Sequence, residues 1–373
     1  MTHPAEPAEP AADPPRLWLR CESRGTERRA PLVPEDAARL VSRGIRITVE
    51  ESPRRVFPLD AYVAAGCTAA PEGSWTSAPA GTYILGLKEL LEEPAQLRHD
   101  HIYFGHAYKG QPGAGRLLAR FAAGGGALLD LEYLTDDAGR RLAAFGYWAG
   151  YAGAALAVLH RRGMLGGPLV PLDRAELDAR LRAGAPSGEA RADGRALVIG
   201  ALGRCGRGAC DALETAGIDP LRWDLAETRA LDRDALLAAD LLVNTVLSTH
   251  PVPPFLVPAD LDSPARRISV IADVTCDVGS DCNVLPVYDA VTDWENPARR
   301  LRGGDHPVDV IAIDNLPSLL PAEASRAFSA DLWPLLARLG PGDPAWRRCR
   351  AAYAGAADPE AAGADVKEDA HVR

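Results

Sequence analysis

A few side chains in this sequence are of the types that move protons, and the scarcity of lysine draws attention to them first. Only three of the 41 basic residues are lysines, at Lys88, Lys109 and Lys367, and all the others are arginines. Arginine keeps its proton at any usable pH, whereas a desolvated lysine can release it. His106, a residue type that titrates near neutrality, lies between the first two lysines. Together they predict proton transfer, although codon bias that left a few lysines behind would explain the same composition.

Apolar runs that end at these polar residues predict the elements that position them. Lys88 ends one run and Asp130-Leu-Glu132 ends another, so both fall at carboxyl ends of strands, where open α/β sheets place their sites. We therefore expect lysine, histidine and carboxylates beside Arg140 and Arg141, a set suited to proton transfer next to an anion site. The strands predicted in this half are Leu17–Cys21, Ile45–Glu50, Tyr83–Lys88, His101–Tyr108 and Ala127–Leu131, and a helix is predicted over Pro34–Ser42.

A glycine-rich turn opens the second half of the chain. The run Gly200-Ala-Leu-Gly203-Arg-Cys-Gly206-Arg-Gly208 follows the predicted strand Arg195–Gly200 and precedes a helical segment. Glycines at such a turn let the backbone approach a pyrophosphate, and the helix N-terminus supplies free N–H groups. Asp224, after the next strand, is placed to bind ribose hydroxyls and favours NAD over NADP, although Arg204 and Arg222 keep NADP open. A tight turn without any ligand is the alternative interpretation.

Strands that alternate with helical segments predict the α/β class, with doubly wound parallel sheets. The segment Leu142–Leu159 is apolar for nearly a membrane-spanning length, but its glycines and the arginine pairs at both ends favour a buried helix between domains. A helix is predicted over Pro321–Leu339 and is expected to pack back on the first half. The other strands predicted in the second half are Leu221–Leu225, Leu241–Val246, Arg267–Val274 and Val308–Asp314.

Composition and charge argue against several classes of protein. The formal net charge of −10 argues against general nucleic-acid binding. The sequence has seven cysteines, an odd number, and its first residues contain no apolar signal segment. We therefore expect reduced thiols and a cytoplasmic location. Residues 1–15 and 355–373 are predicted to be disordered tails. His99, His101 and His106 lack a metal-ligand signature, so we expect no metal, and the first two are expected to have satisfied structural roles.

Six stretches of the sequence together resemble the NAD-dependent, L-lysine-forming saccharopine dehydrogenases. The resemblance runs from about Leu17 to Leu339. The six stretches together are specific for this family, whereas none of them is specific alone. The six are Gly86-Leu-Lys-Glu89, Phe104-Gly-His-Ala-Tyr-Lys109, Asp130-Leu-Glu-Tyr133, Gly139-Arg-Arg-Leu-Ala-Ala-Phe-Gly146, Gly200-Ala-Leu-Gly-Arg-Cys-Gly206 and Asp314-Asn-Leu-Pro-Ser-Leu-Leu-Pro321.

The resemblance implies two Rossmann-like, doubly wound domains that face each other across a cleft. The expected domains are 16–141 for substrate and catalysis, 142–320 for NAD with an interdomain helix at its start, and C-terminal helices over 321–354. The implied enzyme oxidises saccharopine to L-lysine and 2-oxoglutarate through an imine that water hydrolyses. We expect small-molecule substrates, no nucleic acid, no membrane, and a monomer or weak dimer.

Each matching residue takes an implied role from the resemblance. Lys88 is the implied base, His106 the acid/base, and Glu89 and Glu132 are carboxylates around that lysine. Saccharopine carries three carboxylates, which arginine forks bind bidentately. The implied substrate contacts are Arg29, Lys109, Gln111, Arg141, Phe145 and Asp277. The implied cofactor contacts are Arg140, Gly200, Gly203, Arg204, Cys205, Gly206, Asp224, Thr228, Val274, Ile313, Asp314, Asn315 and Leu316.

Two departures from the fungal pattern lie on the cofactor side. Asn315 stands where those enzymes have a histidine, and Leu247 stands where they have an aromatic residue. Three alternatives stay open at this point. They are a related opine-type dehydrogenase of the alanine dehydrogenase–transhydrogenase superfamily, a lysine–2-oxoglutarate reductase that uses NADPH, and a non-catalytic metabolite sensor.

Overall fold

The computed structural model describes residues 14–183, 194–248 and 250–357. Lys367 and most of the two predicted tails lie outside the described residues. Residues 355–357, predicted as part of the second tail, instead belong to the last helix of the structure. The described chain divides into two compact units. One comprises the described parts of Met1–Ala144 and Ser325–Arg373, and the other comprises those of Phe145–Ala324.

The first unit is built on a six-stranded sheet whose strands are all parallel. Its strands are β1 (Arg16–Leu19), β2 (Arg46–Glu50), β3 (Thr68–Ala70), β4 (Thr82–Leu85), β5 (Asp100–Tyr103) and β6 (Leu128–Asp130). Its helices before the unit boundary are α1 (Pro34–Val41), α2 (Leu59–Ala64) and α3 (Ala114–Gly124). The strand order is β3-β2-β1-β4-β5-β6, so the winding reverses between β1 and β4. Open α/β sheets place ligands beyond the carboxyl ends of the strands at such a reversal.

The second unit repeats this architecture with a different order along the chain. Its helices are α4 (Gly146–Arg161), α5 (Arg174–Ala183), α6 (Arg204–Thr215), α7 (Leu225–Arg229) and α8 (Arg233–Leu237). Its strands are β7 (Ala196–Ile199), β8 (Leu221–Trp223), β9 (Leu241–Asn244), β10 (Val270–Asp273), β11 (Arg299–Arg302) and β12 (Val308–Ile311). The strand order is β11-β12-β10-β9-β7-β8, with β11 antiparallel at the edge and the reversal between β7 and β9. All residues of β7, β9 and β10 are buried, as expected of parallel strands covered on both faces.

Two further helices complete the described chain. Helix α9 (Pro321–Leu336) begins in the second unit and continues into the first. Helix α10 (Pro344–Ala357) packs against β6 and α3 of the first unit, where Tyr353 donates a hydrogen bond to the carbonyl of Gly126. Single turns of 3-10 helix occur at Ser74–Ser77, Leu131–Tyr133, Pro258–Asp262 and Leu316–Leu319.

The apolar segment predicted over Leu142–Leu159 forms α4, which begins four residues later than predicted, at Gly146. Most of its residues are buried because glycines let it approach α6 closely. A Cβ added at Gly150 would lie 1.8 Å from the carbonyl oxygen of Cys205, and one at Gly208 would lie 1.9 Å from that of Tyr147. In the part of the chain that the structure describes, no helix is long and apolar enough to cross a membrane.

The predicted α/β class and parallel sheets are confirmed, and most predicted strands agree with the structure to within a few residues. The prediction of a strand over His101–Tyr108 is wrong beyond Tyr103, because His106 has a φ of 48°, which is incompatible with an extended chain. The strand predicted over Tyr83–Lys88 ends at Leu85. Strands β3 and β11 have no counterpart among the predictions.

Candidate active site

Lys88 lies in the loop that follows β4, next to the reversal point of the first sheet. The side chain is partly buried. Its ammonium interacts electrostatically with Glu27, Glu89 and His106, so these four groups lie in one neighbourhood. The loops after β1, β4 and β5 therefore bring a lysine, a histidine and carboxylates to one edge of the sheet.

Glu27 and Arg29 form a buried charge pair in this neighbourhood. Their side chains are 0% and 4% exposed. Arg29 donates to both Glu27 oxygens, from Nε at 2.8 Å and from Nη2 at 2.6 Å, and its backbone N–H donates to the same carboxylate at 2.9 Å. Burial alone would raise the pKa of Glu27, but the Arg29 charge and hydrogen bonds, with help from Lys88, hold it at about 2. Glu27 is therefore a fixed negative charge beside Lys88.

His106 and Glu132 form the second pair at this edge. Nδ1 of His106 lies 3.4 Å from Oε1 of Glu132. The contact with Glu132 raises the pKa of His106 although burial opposes it, and the same contact lowers the pKa of Glu132. His106 is left-handed and its backbone N–H donates to the buried Asp130 carboxylate at 2.9 Å. Non-glycine residues held in this conformation are concentrated at functional sites.

Asp130 supports both members of this pair from the end of β6. Its side chain accepts the N–H of His106 on one oxygen and that of Glu132, at 2.9 Å, on the other. The carboxyl is fully buried, and this burial raises its pKa to about 6. Asp130 therefore fixes the loops after β5 and β6 relative to each other.

The remaining predicted residues of the first unit lie nearer the solvent. Glu89 pairs with Arg24 through two hydrogen bonds, at 3.0 and 3.1 Å. Arg141 is 46% exposed, with Nη1 4.0 Å from Glu132. The side chain of Gln111 accepts the backbone N–H of Lys109 at 2.8 Å. Arg140, predicted to contact the cofactor, is exposed and pairs with Asp136.

The predicted glycine turn lies at the carboxyl end of β7, beside the reversal point of the second sheet. Gly200 has a φ of +82°, and a Cβ at Gly206 would lie 2.0 Å from the carbonyl oxygen of Gly200. Helix α6 begins at Arg204 directly after its N-cap residue Gly203, which has no side chain with which to cap it. This geometry leaves the positive end of a twelve-residue helix open to an anion, as a dinucleotide pyrophosphate requires.

Asp224 follows β8 and lies against the glycine turn. Its carboxylate accepts the backbone N–H of Leu202, in that turn, at 3.0 Å and that of Leu225 at 2.9 Å. Thr228 donates its hydroxyl to the Asp224 carbonyl at 2.9 Å. A carboxylate on the next strand from the turn matches the chemistry that adenosine ribose hydroxyls need. The residues present therefore fit a dinucleotide.

The other predicted cofactor residues follow the carboxyl ends of β10 and β12. Val274 donates its N–H to Asn244 at 3.0 Å, and Asp277 lies partly buried three residues further on. Ile313 and Leu316 are buried, and Asn315 between them is left-handed, with a φ of 76°. Phe145, predicted as a substrate contact, precedes α4 in the second unit.

A buried carboxylate that sequence reasoning missed organises this second edge. Asp273, at the end of β10, accepts hydrogen bonds from Asn244 at 3.0 Å, from Thr275 and from the Tyr288 hydroxyl at 2.8 Å. The network ties the loops after β9 and β10 together. Nothing in the spacing of these residues along the chain indicates that they meet.

The other two histidines of the His-rich stretch are both buried. Nε2 of His99 lies 3.0 Å from the carbonyl oxygen of Ala78. His101 lies among Trp75, Tyr103 and Phe121, and neither of its ring nitrogens has a hydrogen-bond partner. Burial lowers the pKa of His101 far below its usual range. The expectation of a satisfied role is thus wrong for His101. Among the described residues, no group of three or more His, Cys, Asp or Glu could hold a metal ion.

Comparison with known proteins finds a matching family model for most of each unit. Residues 18–152 match the family model "Alanine dehydrogenase/PNT, N-terminal domain", and residues 192–353 match "Alanine dehydrogenase/PNT, C-terminal domain". The chain is 43% identical over 347 residues to saccharopine dehydrogenase [NAD(+), L-lysine-forming] of Emericella nidulans, an alignment that covers 87% of this chain and 92% of the relative. The Schizosaccharomyces pombe protein of the same name is 40% identical over 358 residues, which cover 91% and 97%.

The chain belongs to the saccharopine dehydrogenase family. This confirms the resemblance predicted from the sequence. Among solved structures, an L-alanine dehydrogenase matches with a TM-score of 0.65 at 16% identity, covering 91% of this chain and 93% of that one. A transhydrogenase from Sinorhizobium meliloti matches with a TM-score of 0.61 at 16% identity, covering 87% and 94%. At this identity the two structures confirm the predicted two-domain Rossmann-like fold.

Proposed function

We propose that this protein catalyses the NAD-dependent oxidation of saccharopine to L-lysine and 2-oxoglutarate. The observation that carries the proposal is the near-full-length similarity to enzymes with this name. The residues at the two sheet edges are consistent with it, since one edge carries acid–base groups and the other an uncapped helix N-terminus after a glycine turn. In the proposal the first unit transfers protons and the second binds the dinucleotide.

The reaction needs a base before a hydride can leave. Lys88, in its neutral form, removes the proton from the secondary amine of saccharopine. The glycine turn before α6 and Asp224 would hold NAD, which when bound would supply the hydride acceptor for the carbon next to that nitrogen. The fixed negative charge of Glu27 stabilises the ammonium that Lys88 becomes when it takes this proton, because the buried Arg29 keeps the Glu27 carboxylate ionised.

Hydrolysis of the imine needs a group that can take and return protons. His106 carries out this step, with Glu132 orienting its ring and favouring the protonated form. General acid–base catalysis of this kind is worth roughly 10²–10⁴-fold in rate. Arg141, which is partly exposed, is suited to bind a substrate carboxylate, whereas the fork of Arg29 is already engaged by Glu27.

The test is turnover by purified protein with defined amine and dinucleotide. NADH absorbance is followed with saccharopine plus NAD, and NADH oxidation with lysine plus 2-oxoglutarate. In control assays NADP replaces NAD, NADPH replaces NADH, and alanine replaces lysine. We expect turnover with saccharopine and NAD, and much weaker activity with NADPH because the Asp224 carboxylate repels a 2′-phosphate. Absence of turnover with saccharopine, or a preference for NADPH, would overturn the proposal.

We also propose a cytoplasmic location and a monomer or weak dimer, as expected from the sequence. Analytical ultracentrifugation over a range of concentrations tests the oligomeric state, since a weak dimer dissociates on dilution.

A further inference from the structure

The loop that carries Lys88 has no regular secondary structure of its own. Strand β4 ends at Leu85, and beyond it the ladder to the neighbouring chain segment has two more bonds, from the N–H of Gly86 to the Ile102 carbonyl at 3.0 Å and from the N–H of Phe104 to the Leu87 carbonyl at 3.2 Å. The N–H of Leu87 and both backbone groups of Lys88 therefore need other partners, because buried N–H and C=O groups are costly to leave unpaired.

A buried carboxylate from the neighbouring loop accepts both N–H groups. Oε1 of Glu22 accepts the N–H of Leu87 at 2.7 Å, and Oε2 accepts the N–H of Lys88 at 3.0 Å. Glu22 lies after β1, which is the parallel neighbour of β4. The side chain is only 7% exposed, so water does not compete for these bonds.

An arginine holds the other side of the same residue. Arg20, which is 2% exposed, donates from Nη2 to the carbonyl oxygen of Lys88 and from Nη1 to Glu22 at 3.3 Å. A Cβ at position 86 would lie 2.5 Å from Nε of Arg20, so glycine is required for the guanidinium to lie there. One buried ion pair thus holds the N–H and the C=O of Lys88.

We propose that Arg20 and Glu22 are positioning residues that fix the backbone of Lys88 and thereby aim its side-chain nitrogen at the reacting nitrogen of the substrate. This rests on the proposed function. Buried ion pairs are weak evidence for stability, since desolvation cancels most of their attraction. Here the guanidinium of Arg20 and the carboxylate of Glu22 bond to each other, and Arg20 also donates to the Cys21 carbonyl. Their other hydrogen bonds all go to the backbone of Leu87 or Lys88. The pair therefore sets the position from which the Lys88 side chain leaves the backbone.

Glu22→Gln is the test variant, because an amide has one acceptor oxygen and so cannot accept both N–H groups. Glu50→Gln is the matched control. Glu50 is also fully buried, and its carboxylate accepts the N–H groups of Cys21, Gly73 and Trp75 but none from the Lys88 loop. We expect Glu22→Gln to lower kcat by about 10- to 100-fold, because misplacing a catalytic group by about 1 Å costs that much. The KM for NAD should stay unchanged, and Glu50→Gln should retain kcat.

A double-mutant cycle separates positioning from a general structural role. In a Lys88→Met background, Glu22→Gln should lower the residual kcat no further, because the group it positions is gone. The same fold-loss in both backgrounds would overturn the proposal. So would a loss of kcat in Glu50→Gln equal to that in Glu22→Gln.

A second readout is independent of the enzymatic reaction. Reductive ¹³C-methylation labels only three lysines and the N-terminus, so Lys88→Met identifies the Lys88 signal by its absence. We expect Glu22→Gln to shift this signal and Glu50→Gln to leave it in place. An unmoved signal overturns the positioning role. A moved signal without saccharopine turnover in the parent protein would instead show that the proposed function is wrong.

Discussion

The carboxyl edges of the two sheets are built on the same architecture but carry opposite chemistry. At the edge of the first sheet, charged side chains meet in pairs, one of them buried, Glu27 with Arg29, and one nearer the solvent, His106 with Glu132. At the edge of the second, the glycine turn exposes backbone N–H groups at the start of α6. The first edge holds groups that can gain or lose protons, whereas the second offers a fixed dipole that does not titrate.

The difference shows that the sheet decides where a site forms and the loops decide what it does. Both sites follow the reversal point of their sheet, since the backbone pattern is shared. The loops differ in one physical respect. The loops of the first sheet contain charged side chains that are buried and therefore paired. The turn after β7 is rich in glycine, so its backbone can approach a ligand directly. Loss of a side chain should therefore affect proton transfer at one edge and dinucleotide affinity at the other.

The largest effect is expected from Lys88→Met, which removes the proposed base and keeps the chain length. We expect kcat to fall by roughly 10²–10⁴-fold with the affinity for NAD unchanged, because general base catalysis is lost. Steady-state kinetics and calorimetric titration with NAD measure the two quantities. Arg46→Met, at the exposed amino end of β2, is the matched control and should keep full activity. Turnover near that of the parent protein would remove Lys88 from the proposed mechanism.

Glu27→Gln is expected to have the next largest effect, on stability. The variant leaves Arg29 buried without its carboxylate, which costs about 3–5 kcal/mol in the free energy of unfolding. Because the folded pKa, about 2, lies below the usual value of 4.5, the contribution of Glu27 is complete above pH 4.5 and is lost as the pH falls towards 2. Denaturant unfolding at several pH values measures this dependence, which the variant should lack. Glu92→Gln, from the exposed pair with Arg116, should cost less than about 1 kcal/mol. An equal cost at both positions would contradict the prediction.

Asp224→Ala tests the second edge and should weaken NAD binding by about tenfold, as expected for lost hydrogen bonds to a charged group. The pH profile of kcat should not change, because no proton-transferring group is removed. Calorimetric titration measures affinity, and thermal unfolding measures the separate loss of the cap that Asp224 forms on α7. Asp219→Ala, at a 90% exposed carboxylate nearby, is the control. Unchanged affinity in Asp224→Ala would mean that this carboxylate does not face the ribose.

The smallest effect is expected from Glu132→Gln, which keeps the shape of the side chain and removes its charge. The Glu132 contact is the main cause that raises the pKa of His106, so its loss should move the His106 limb of the pH–rate profile to lower pH. NMR titration of the imidazole provides a direct check. Glu72→Gln, which removes an exposed charge elsewhere in the first unit, should leave the limb in place. A limb that moves to higher pH would show that another group governs this titration.

Most of the fold could be predicted because apolar runs, glycines and turn residues act locally. The strand run after Gly194 predicts β7 correctly, and the glycines after it predict a turn into a helix, although α6 begins at Arg204, inside the run that was predicted as the turn. Strand β3 was missed because Thr68–Ala70 is three residues long and two of them are exposed, so it has no apolar pattern. Strand β11 was missed because Arg299–Arg302 contains three arginines, and only its pairing with β12 makes it a strand.

The candidate site also contains residues that could be predicted from the sequence and residues that could not. Lys88, His106 and Asp224 could be singled out because each follows an apolar strand and is of a chemically informative type. Glu27 could not, because it lies outside any periodic segment and its importance comes from contact with Arg29 and Lys88. His101 is the opposite case. It lies in the sequence beside residues that could carry out chemistry, whereas in the structure it is buried in an aromatic cluster and its ring nitrogens have no hydrogen-bond partner.

The sequence by itself determined the α/β class, the order of most of the strands, and the two places along the chain where chemistry could occur. Only the tertiary structure decided which charges meet. Parallel strands that are neighbours in the sheet, such as β1 and β4, can be far apart along the chain, so the loops after them converge only once the sheet has formed. The partners of Lys88 are therefore set by the strand order of the sheet, through burial and pairing, rather than by the residues next to it in the chain.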